Sequence, residues 1–526
     1  MIFTSKLPDI EIPQGNLVDV VLRHCAELGG ELGDKPALMD GPSGRAISYA
    51  QLPAMVRRFA TGLANRGFGK GDVLAIFMPN LPEYGVAFLG TAYLGGVNTT
   101  VNSLYSTDDL IHQFKDSGAR FLLTIPDFLD RARPAAEASG IEKIFVLGQA
   151  ENFTPYADLL NNAGDAPQAE IDPAADMVAM PYSSGTTGLA KGVMLSHRNL
   201  IANFALATQV NPQHEGDKMF AVLPFFHIYG MTLLLLLALY EGVTLLTAPR
   251  FDLEQFLQIV QDHKVTLLSL VPPIVLALAR HPIVEQYDLS AVRLITCGAA
   301  PLGVDLEAEC AKRIGCGIIQ GYGLTEVAGA SHVRALGSEL DVPGSVGPVL
   351  QNTESKVIDV ETGAALGPNE TGEVLIRGPH VMLGYLNNPE ATAATIDEDG
   401  WFHSGDIGYA DDNGCFHIVD RVKELIKYKA YQVAPAELEA LLLTHDAVAD
   451  AAVIPSPDEE AGEVPKAFVV RSGELAEQDL IAWVAERVAP HKKVRRLEFV
   501  AEIPKSASGK ILRRLLVEQE RARVSA

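Results

Sequence analysis

Met177-Val178-Ala179-Met180-Pro181-Tyr182-Ser183-Ser184-Gly185-Thr186-Thr187-Gly188-Leu189-Ala190-Lys191-Gly192 runs from an apolar segment straight into a loop of hydroxyls, glycines and one lysine. A short apolar run bounded by turn residues reads as a buried strand. The loop concentrates Ser183, Ser184, Thr186 and Thr187 with Gly185, Gly188, Gly192 and Lys191. Glycines let backbone N–H groups approach an anion, hydroxyls donate to phosphate oxygens, and a lysine supplies charge. The same composition also suits a mobile surface loop. It lacks the Gly-Lys-Ser/Thr of a P-loop, which weighs against a kinase or GTPase.

Outward from this stretch, strand-like and helical segments alternate. Tyr49–Arg66 and Pro82–Leu94 read as helices. Val73–Phe77, Phe121–Thr124, Phe220–Pro224, Val243–Thr247, Leu267–Val271 and Leu294–Cys297 read as strands. Strands separated by helices of this length imply βαβ units and parallel sheets, and the amount of chain between about residues 50 and 330 asks for two such lobes. After about residue 340, short β-like runs are punctuated by Pro343-Gly344, Thr362-Gly363, Gly367-Pro368 and Asn413-Gly414, which predicts a small antiparallel unit. From residue 423, helix and strand mix again, with helices near Pro435–Leu443 and Glu477–Val488. The expected fold is therefore α/β. A large N-terminal domain over residues 1–422 has two α/β lobes and a small β-rich subdomain, and a smaller mobile α+β domain covers residues 423–526.

Composition bounds the function. A 526-residue chain that is 48% hydrophobic buries a large core in more than one domain. Its formal charge of −24 would repel a phosphate backbone, so a general nucleic-acid binder is not expected. The five cysteines form no CxxC pair and are odd in number, which points to reduced thiols. The start, Met1–Lys6, shows no charged region leading into an apolar stretch. The apolar run Ile228–Tyr240 stops at Glu241, short of the ~20 residues a membrane span needs. It is expected as a buried helix, with no membrane span and a cytoplasmic location.

Four further segments suit nucleotide chemistry. Gln320-Gly321-Tyr322-Gly323-Leu324-Thr325-Glu326 offers a ring for a purine, close backbone approach, and a Thr-Glu pair for phosphate and Mg²⁺. Trp401-Phe402-His403-Ser404-Gly405-Asp406 presents a carboxylate suited to a ribose diol. Asp420-Arg421-Val422-Lys423-Glu424-Leu425-Ile426-Lys427 is a charged joint between apolar regions, and Pro504-Lys505-Ser506-Ala507-Ser508-Gly509-Lys510 sets a lysine after a small-residue turn. Singly, each also reads as a strand turn, a solvated linker or a surface tail.

Taken in order, these motifs resemble the adenylate-forming superfamily of acyl-CoA synthetases, adenylation domains and luciferases, and most of all its 4-coumarate–CoA ligase branch. Leu223-Pro224-Phe225-Phe226-His227-Ile228-Tyr229-Gly230 and the stretch Tyr428–Glu439 add to the likeness. The resemblance implies ATP, Mg²⁺ and coenzyme A as cofactors and a small carboxylic acid as substrate. A homodimer is compatible with it. It implies that Ser183, Ser184, Gly185, Thr186, Thr187, Gly188 and Lys191 cover the β- and γ-phosphates. Ala299, Ala300, Gln320, Gly321 and Tyr322 would bracket adenine, Thr325 would meet the α-phosphate, and Glu326 would hold the metal. Asp406 and Arg421 would bind the ribose, and Lys423 would be a hinge. Lys510 would meet the acyl carboxylate and the α-phosphate, with Lys427, Gln432 and His227 also serving the reaction. The acyl group would lie among His227, Tyr229, Leu233, Ala299, Gly321, Gly329 and Ala330, and coenzyme A along Arg250, Lys429 and Ala430.

Two departures from the branch stand out. Counted from His227, Leu233 stands where the plant coumarate enzymes have serine, and Gly329-Ala330 where they have Pro-Val. Ala430 stands where relatives carry glycine, which implies slower thioester formation if its methyl crowds the thiol path. The implied activity is formation of an acyl-adenylate and then a CoA thioester, on cinnamate- or coumarate-type acids. Alternatives are a medium-chain fatty acyl-CoA synthetase, a stand-alone adenylation enzyme loading a carrier protein, or an inactive nucleotide sensor on the same fold.

Overall fold

Val73–Phe77 is buried at every position, as an apolar run must be when both faces of its sheet are covered. The computed structural model describes residues 1–27, 33–162, 164–166, 168–183, 190–214, 216–429, 431–458, 460–506 and 509–524. In it, this strand lies between Val97–Thr100 and Ala119–Thr124 and is parallel to both. Lys143–Val146 continues the sheet on one side. Met177–Ala179, then Lys191–Ser196 and Tyr182–Ser183, continue it on the other. The crossovers are helical because they carry their own signals. Pro82 opens Pro82–Tyr93, and a Ser106/Asp109 capping box and left-handed Gly118 bound Thr107–Ser117.

A second sheet sets Gly317–Leu324, Leu294–Cys297, Leu267–Leu270, Lys218–Ala221, Thr244–Thr247 and Pro36–Asp40 side by side and parallel. Antiparallel Gly329–Val333 and Ala46–Ser48 form its edges. Because Pro36–Asp40 precedes every strand of the first sheet, the two lobes interleave. The buried Tyr49 locks that crossover by donating its hydroxyl to the Val243 carbonyl at 2.7 Å. The apolar run Ile228–Tyr240 is buried as expected, but its middle, Met231–Leu236, winds as a π-helix between α-helical ends.

The antiparallel unit after residue 340 consists of Glu354–Ile358, Gly372–Arg377, Phe402–Ala410 and Phe416–Arg421. Ile2–Thr4 pairs along its edge, a contribution the first residues give no sign of in sequence. The chain then crosses, over residues 422–425, into a C-terminal sheet. That sheet contains Ile426–Tyr428, Tyr431–Val433, Val448–Asp458, Gly462–Arg471 and Arg496–Phe499. This unit has its own core, including Ile426, Leu438, Val453, Val469 and Leu480. The architecture is thus the expected α/β one, with two lobes, a β-rich subdomain and an α+β C-terminal unit. Among the described residues no helix is long and apolar enough to cross a membrane, and all five cysteines are free.

Candidate active site

The strand Gly317–Leu324 carries Gln320, Gly321, Tyr322 and Gly323, then reverses through Thr325–Val327 into Gly329–Val333. The reversal is so tight that a Cβ on Gly323 would lie 1.8 Å from the Gly329 carbonyl oxygen, so glycine alone fits. Buried Asn203 staples the turn, donating to the Val327 and Ala330 carbonyls at 2.9 and 2.7 Å and accepting from the Ala330 N–H at 3.2 Å. Ala328 at φ +55° and Ala299 at φ +69° are left-handed, which costs about 1–2 kcal/mol for alanine. Such strain concentrates where function, rather than folding, sets the backbone.

Glu326 projects from this turn, nearly buried, and its Oε1 accepts the Tyr385 hydroxyl at 2.9 Å. The Lys191 ammonium lies 4.5 Å from the centroid of the same tyrosine ring. The lysine that closes the Ser/Thr/Gly loop and the carboxylate of the Thr-Glu turn therefore meet at one aromatic side chain.

Asp406 and Arg421 are register partners on adjacent antiparallel strands, with Arg421 Nε 3.3 Å from Asp406 Oδ1. Tyr322 donates its hydroxyl to Asp406 Oδ2 at 2.6 Å. Burial raises the Asp406 carboxyl above its ordinary range, opposed by Arg421 and by the Tyr322 hydrogen bond. Lys510 arrives from the C-terminal unit. Beside it, Gly509 lies against Val271, where an added Cβ would come within 3.0 Å of Val271 Cγ2. Burial and then the Arg421 guanidinium pull the Lys510 ammonium below the usual lysine range, while Asp406, Glu326 and Glu424 pull the other way.

His227 completes this group. Burial, followed by the charge of Lys510, pushes its imidazole down to about 3, so the ring is neutral across the physiological range. Its Nδ1 accepts the Tyr229 N–H at 3.2 Å, which leaves Nε2 to carry the proton. Tyr229 donates to the Thr296 carbonyl at 3.3 Å, and its ring lies over Gly298, where a Cβ would be 2.9 Å from Cε1. Both Ile228–Gly230 and the π-helix Met231–Leu236 pack on Gly329–Val333. Leu233 is the one residue of that π-helix which is not fully buried.

Comparison with known proteins agrees with this geometry. Residues 27–386 match the AMP-binding enzyme family, and residues 437–510 match the AMP-binding enzyme C-terminal domain. The chain belongs to the AMP-binding, adenylate-forming enzyme family. Among its relatives, 4-coumarate–CoA ligase 2 of Petroselinum crispum is 44% identical, over 98% of this chain and 96% of that protein. A 4-coumarate–CoA ligase of Pinus taeda is 43% identical over the same shares. Among solved structures, the anthranilate–CoA ligase AuaEII with anthranoyl-AMP superposes at a TM-score of 0.91, with 26% identity, 98% of this chain and 99% of that one. ATP-bound MatB of Rhodopseudomonas palustris superposes at 0.87, with 29% identity, 96% of this chain and 99% of that one.

Within this AMP-binding enzyme, Tyr322, Glu326, Asp406, Arg421, Lys510 and His227 are brought together. The Gln320 side chain is committed elsewhere. It bonds both backbone groups of Leu302 and donates to Glu307, so the side chain is not available to a ligand. Lys423, Lys427, Lys429 and Gln432 are exposed at the joint and on the C-terminal hairpin. There Lys427 pairs with Gln432, and Lys429, at φ +53°, bonds Glu460 at 2.8 Å. Exposed Arg250 lies beside a cavity of about 220 Å³ lined also by Phe251 and Asn80. A larger cleft of about 380 Å³ surrounds the mutually paired Arg120, Asp72 and Glu142 and is lined by none of the residues expected at the site. Ser184 to Gly188 and Ala430 lie outside the described residues, and with them the expectations placed on the loop tip and on the alanine substitution. Sequence reading missed Tyr385, Asn203 and Arg513. Glu326 is 59 residues from Tyr385, Val327 is 124 from Asn203 and Glu439 is 74 from Arg513, and no local pattern marks these pairings.

Proposed function

We propose that this chain is an ATP-dependent carboxylic acid–CoA ligase that forms an acyl-adenylate and pyrophosphate, then an acyl-CoA and AMP. The observation that carries the reading is Lys510, set by the C-terminal unit among Arg421, Asp406, Glu326 and His227. A carboxylate and a triphosphate repel each other, so a cation fixed between them both orients attack and offsets charge in the transition state. Lys510 takes that role, and neutral His227 adds no competing charge. Asp406 and Arg421 hold the ribose hydroxyls. Tyr322 lies at adenine with the backbone of Ala299, Ala300, Gln320 and Gly321, Thr325 meets the α-phosphate, and Lys191 with Ser183–Gly188 meets the outer phosphates.

Glu326 fits a divalent cation, because one of its oxygens is held by Tyr385 and the other is free of protein partners in the described structure. Among the described residues no group of three or more His, Cys, Asp or Glu could hold a metal alone. Mg²⁺ commonly takes one or two carboxylates and completes its shell with substrate phosphates and water. When bound it would neutralise phosphate charge. The thiol half-reaction needs a different face, since one opening cannot admit both pyrophosphate and pantetheine. Division at residue 423, with a turn about Lys423, would bring Lys427, Lys429, Ala430 and Gln432 inward while Arg250 and its cavity receive coenzyme A.

The acid is of the cinnamate or 4-coumarate type. The relatives named for 4-coumarate and the anthranoyl-AMP structure support an aromatic ring among Tyr229, Leu233, Ala299, Gly321, Gly329 and Ala330. An apolar Leu233 leaves a substrate hydroxyl unpaired, at about 1–3 kcal/mol. The enzyme should therefore prefer cinnamate to hydroxycinnamates, and Leu233→Ser should move kcat/KM towards the hydroxylated acids by about 5- to 150-fold. An unchanged ratio would make Leu233 a packing residue only.

A pH profile tests Lys510 separately. The lysine works protonated, so exchange of pyrophosphate into ATP should fall as pH rises through its lowered pKa. Lys510→Arg stays charged at every accessible pH, and its alkaline limb should move upward even if its maximum rate is lower. The overall assignment is tested by acid-dependent pyrophosphate exchange and CoA-dependent AMP release, measured with cinnamates and medium-chain fatty acids. If no acid of either class supports exchange, the assignment fails.

A further inference from the structure

Tyr385 lies between the two parts of the site that must grip the triphosphate, and no sequence motif singled it out. Its placement is set by backbone, not by its own side chain. Gly384–Tyr385 pairs with Met194 and Val193 on the strand that begins at Lys191. The Leu383 and Leu386 N–H groups bond the Met194 and Gly192 carbonyls at 2.9 and 2.8 Å. The Met382 N–H bonds the Glu326 carbonyl at 2.8 Å, and the Tyr385 N–H bonds Thr392 Oγ1 at 2.9 Å. The segment 382–386 thus tethers the lysine strand to the glutamate turn, and the nearly buried tyrosine fills the space between them.

We infer that Tyr385 is a positioning residue for metal-bound ATP: its hydroxyl orients the Glu326 carboxylate and its ring seats Lys191. The inference rests on the function proposed above. The hydroxyl occupies Oε1 of Glu326 and so presents Oε2 towards the phosphates. A carboxylate with both oxygens free would rotate and bind a small, geometrically demanding cation less well. The opposite feature of the same side chain, its π face, holds the Lys191 ammonium 4.5 Å from the ring centroid, as cations are held over aromatic faces.

The two functions separate by substitution. Tyr385→Phe removes the hydroxyl and keeps the ring, whereas Tyr385→Leu removes both. Calorimetric titration of Tyr385→Phe should show MgATP binding about tenfold weaker, the usual consequence of losing a partner behind a metal ligand, with Mg-free ATP binding unchanged. Excess Mg²⁺ should restore its exchange rate. Tyr385→Leu should in addition weaken Mg-free ATP binding, because Lys191 loses its seat. A purely structural role would instead lower the melting temperature and the exchange rate at every Mg²⁺ concentration, and that result overturns the inference. Glu326→Gln is the control. If it leaves MgATP affinity unchanged, the assignment of Glu326 to the metal fails and the inference falls with it. If Glu326→Gln weakens MgATP and Tyr385→Phe does not, the inference alone fails.

Discussion

Replacing Lys510 by alanine is expected to lower acid-dependent pyrophosphate exchange by about 10²–10³-fold, the usual loss when one well-aimed electrostatic contact is removed, while ATP still binds. The ammonium lies among Arg421, Asp406, Glu326, Glu424 and His227, so it is the charge the C-terminal unit brings to the point where acid and α-phosphate would meet. ATP binding should survive, because Tyr322, Asp406 and Arg421 are on strands of the N-terminal part and hold one another without Lys510. Removing the lysine also relieves its effect on His227, whose imidazole should rise from about 3 but stay depressed, since burial is the larger cause. Transfer from chemically prepared acyl-adenylate to coenzyme A should continue. Exchange within a few-fold of the unsubstituted enzyme would remove Lys510 from the chemistry.

Lys510 was legible in sequence only through its surroundings, and the same holds for most of the site. The alternation around Val73–Phe77 and Leu294–Cys297 revealed parallel sheets because a strand covered on both faces reads as a nearly continuous apolar run, complete in Val73–Phe77 and broken in Leu294–Cys297 only at Thr296. It could not show that Pro36–Asp40 joins the second sheet rather than the first, since strand order is fixed by contacts across more than 200 residues. Ile228–Tyr240 read as one helix. Its π-wound middle packs against Gly329–Val333, a winding and a contact that the run of leucines does not announce. Tyr322, Glu326 and Asp406 were visible because glycine-bearing turns flag where backbone must come close, and Arg421 because it stands in a charged joint between apolar regions. Tyr385 and Arg513 were invisible because a tyrosine or arginine pairs over any sequence distance. Gln320 was visible in position, yet its side chain turned out to be used within the protein.

Arg513→Ala is expected to destabilise the C-terminal unit by about 3–5 kcal/mol, the cost of leaving buried charge without its partner. Arg513 donates to Glu439 at 2.7 Å and lies 3.3 Å from Glu424, and Asp420 also acts on it. Both ends of the Arg513–Glu439 pair are largely out of solvent, at 13% and 10% side-chain exposure, so solvent screening does little to weaken it. Glu439 is further committed to the Val453 N–H at 2.7 Å, and Asp420 to the Ala436 N–H at 2.9 Å, so neither carboxylate can swing out to water. Without the guanidinium, Asp420 and Glu439 share one buried space, and both carboxyls, already raised by burial, lose the charge that opposes that rise and are driven to bind a proton in the folded state. Carboxyls with folded pKa values above the unfolded ones lose stability as pH rises. The deficit in Arg513→Ala should therefore be largest above pH 7 and shrink towards pH 5, measured by chemical denaturation at each pH. Arg513→Lys, which restores the charge but not the fork, should recover part of it. The cluster also spans the crossing at residues 422–425, with Asp420 before it, Glu424 within it, and Glu439 and Arg513 after it. Loosening the cluster should accordingly loosen the seat of Lys510, three residues upstream, and lower pyrophosphate exchange in parallel with stability. A pH-independent loss below 1 kcal/mol would mean that water reaches the cluster, and that the seat of Lys510 does not depend on Arg513.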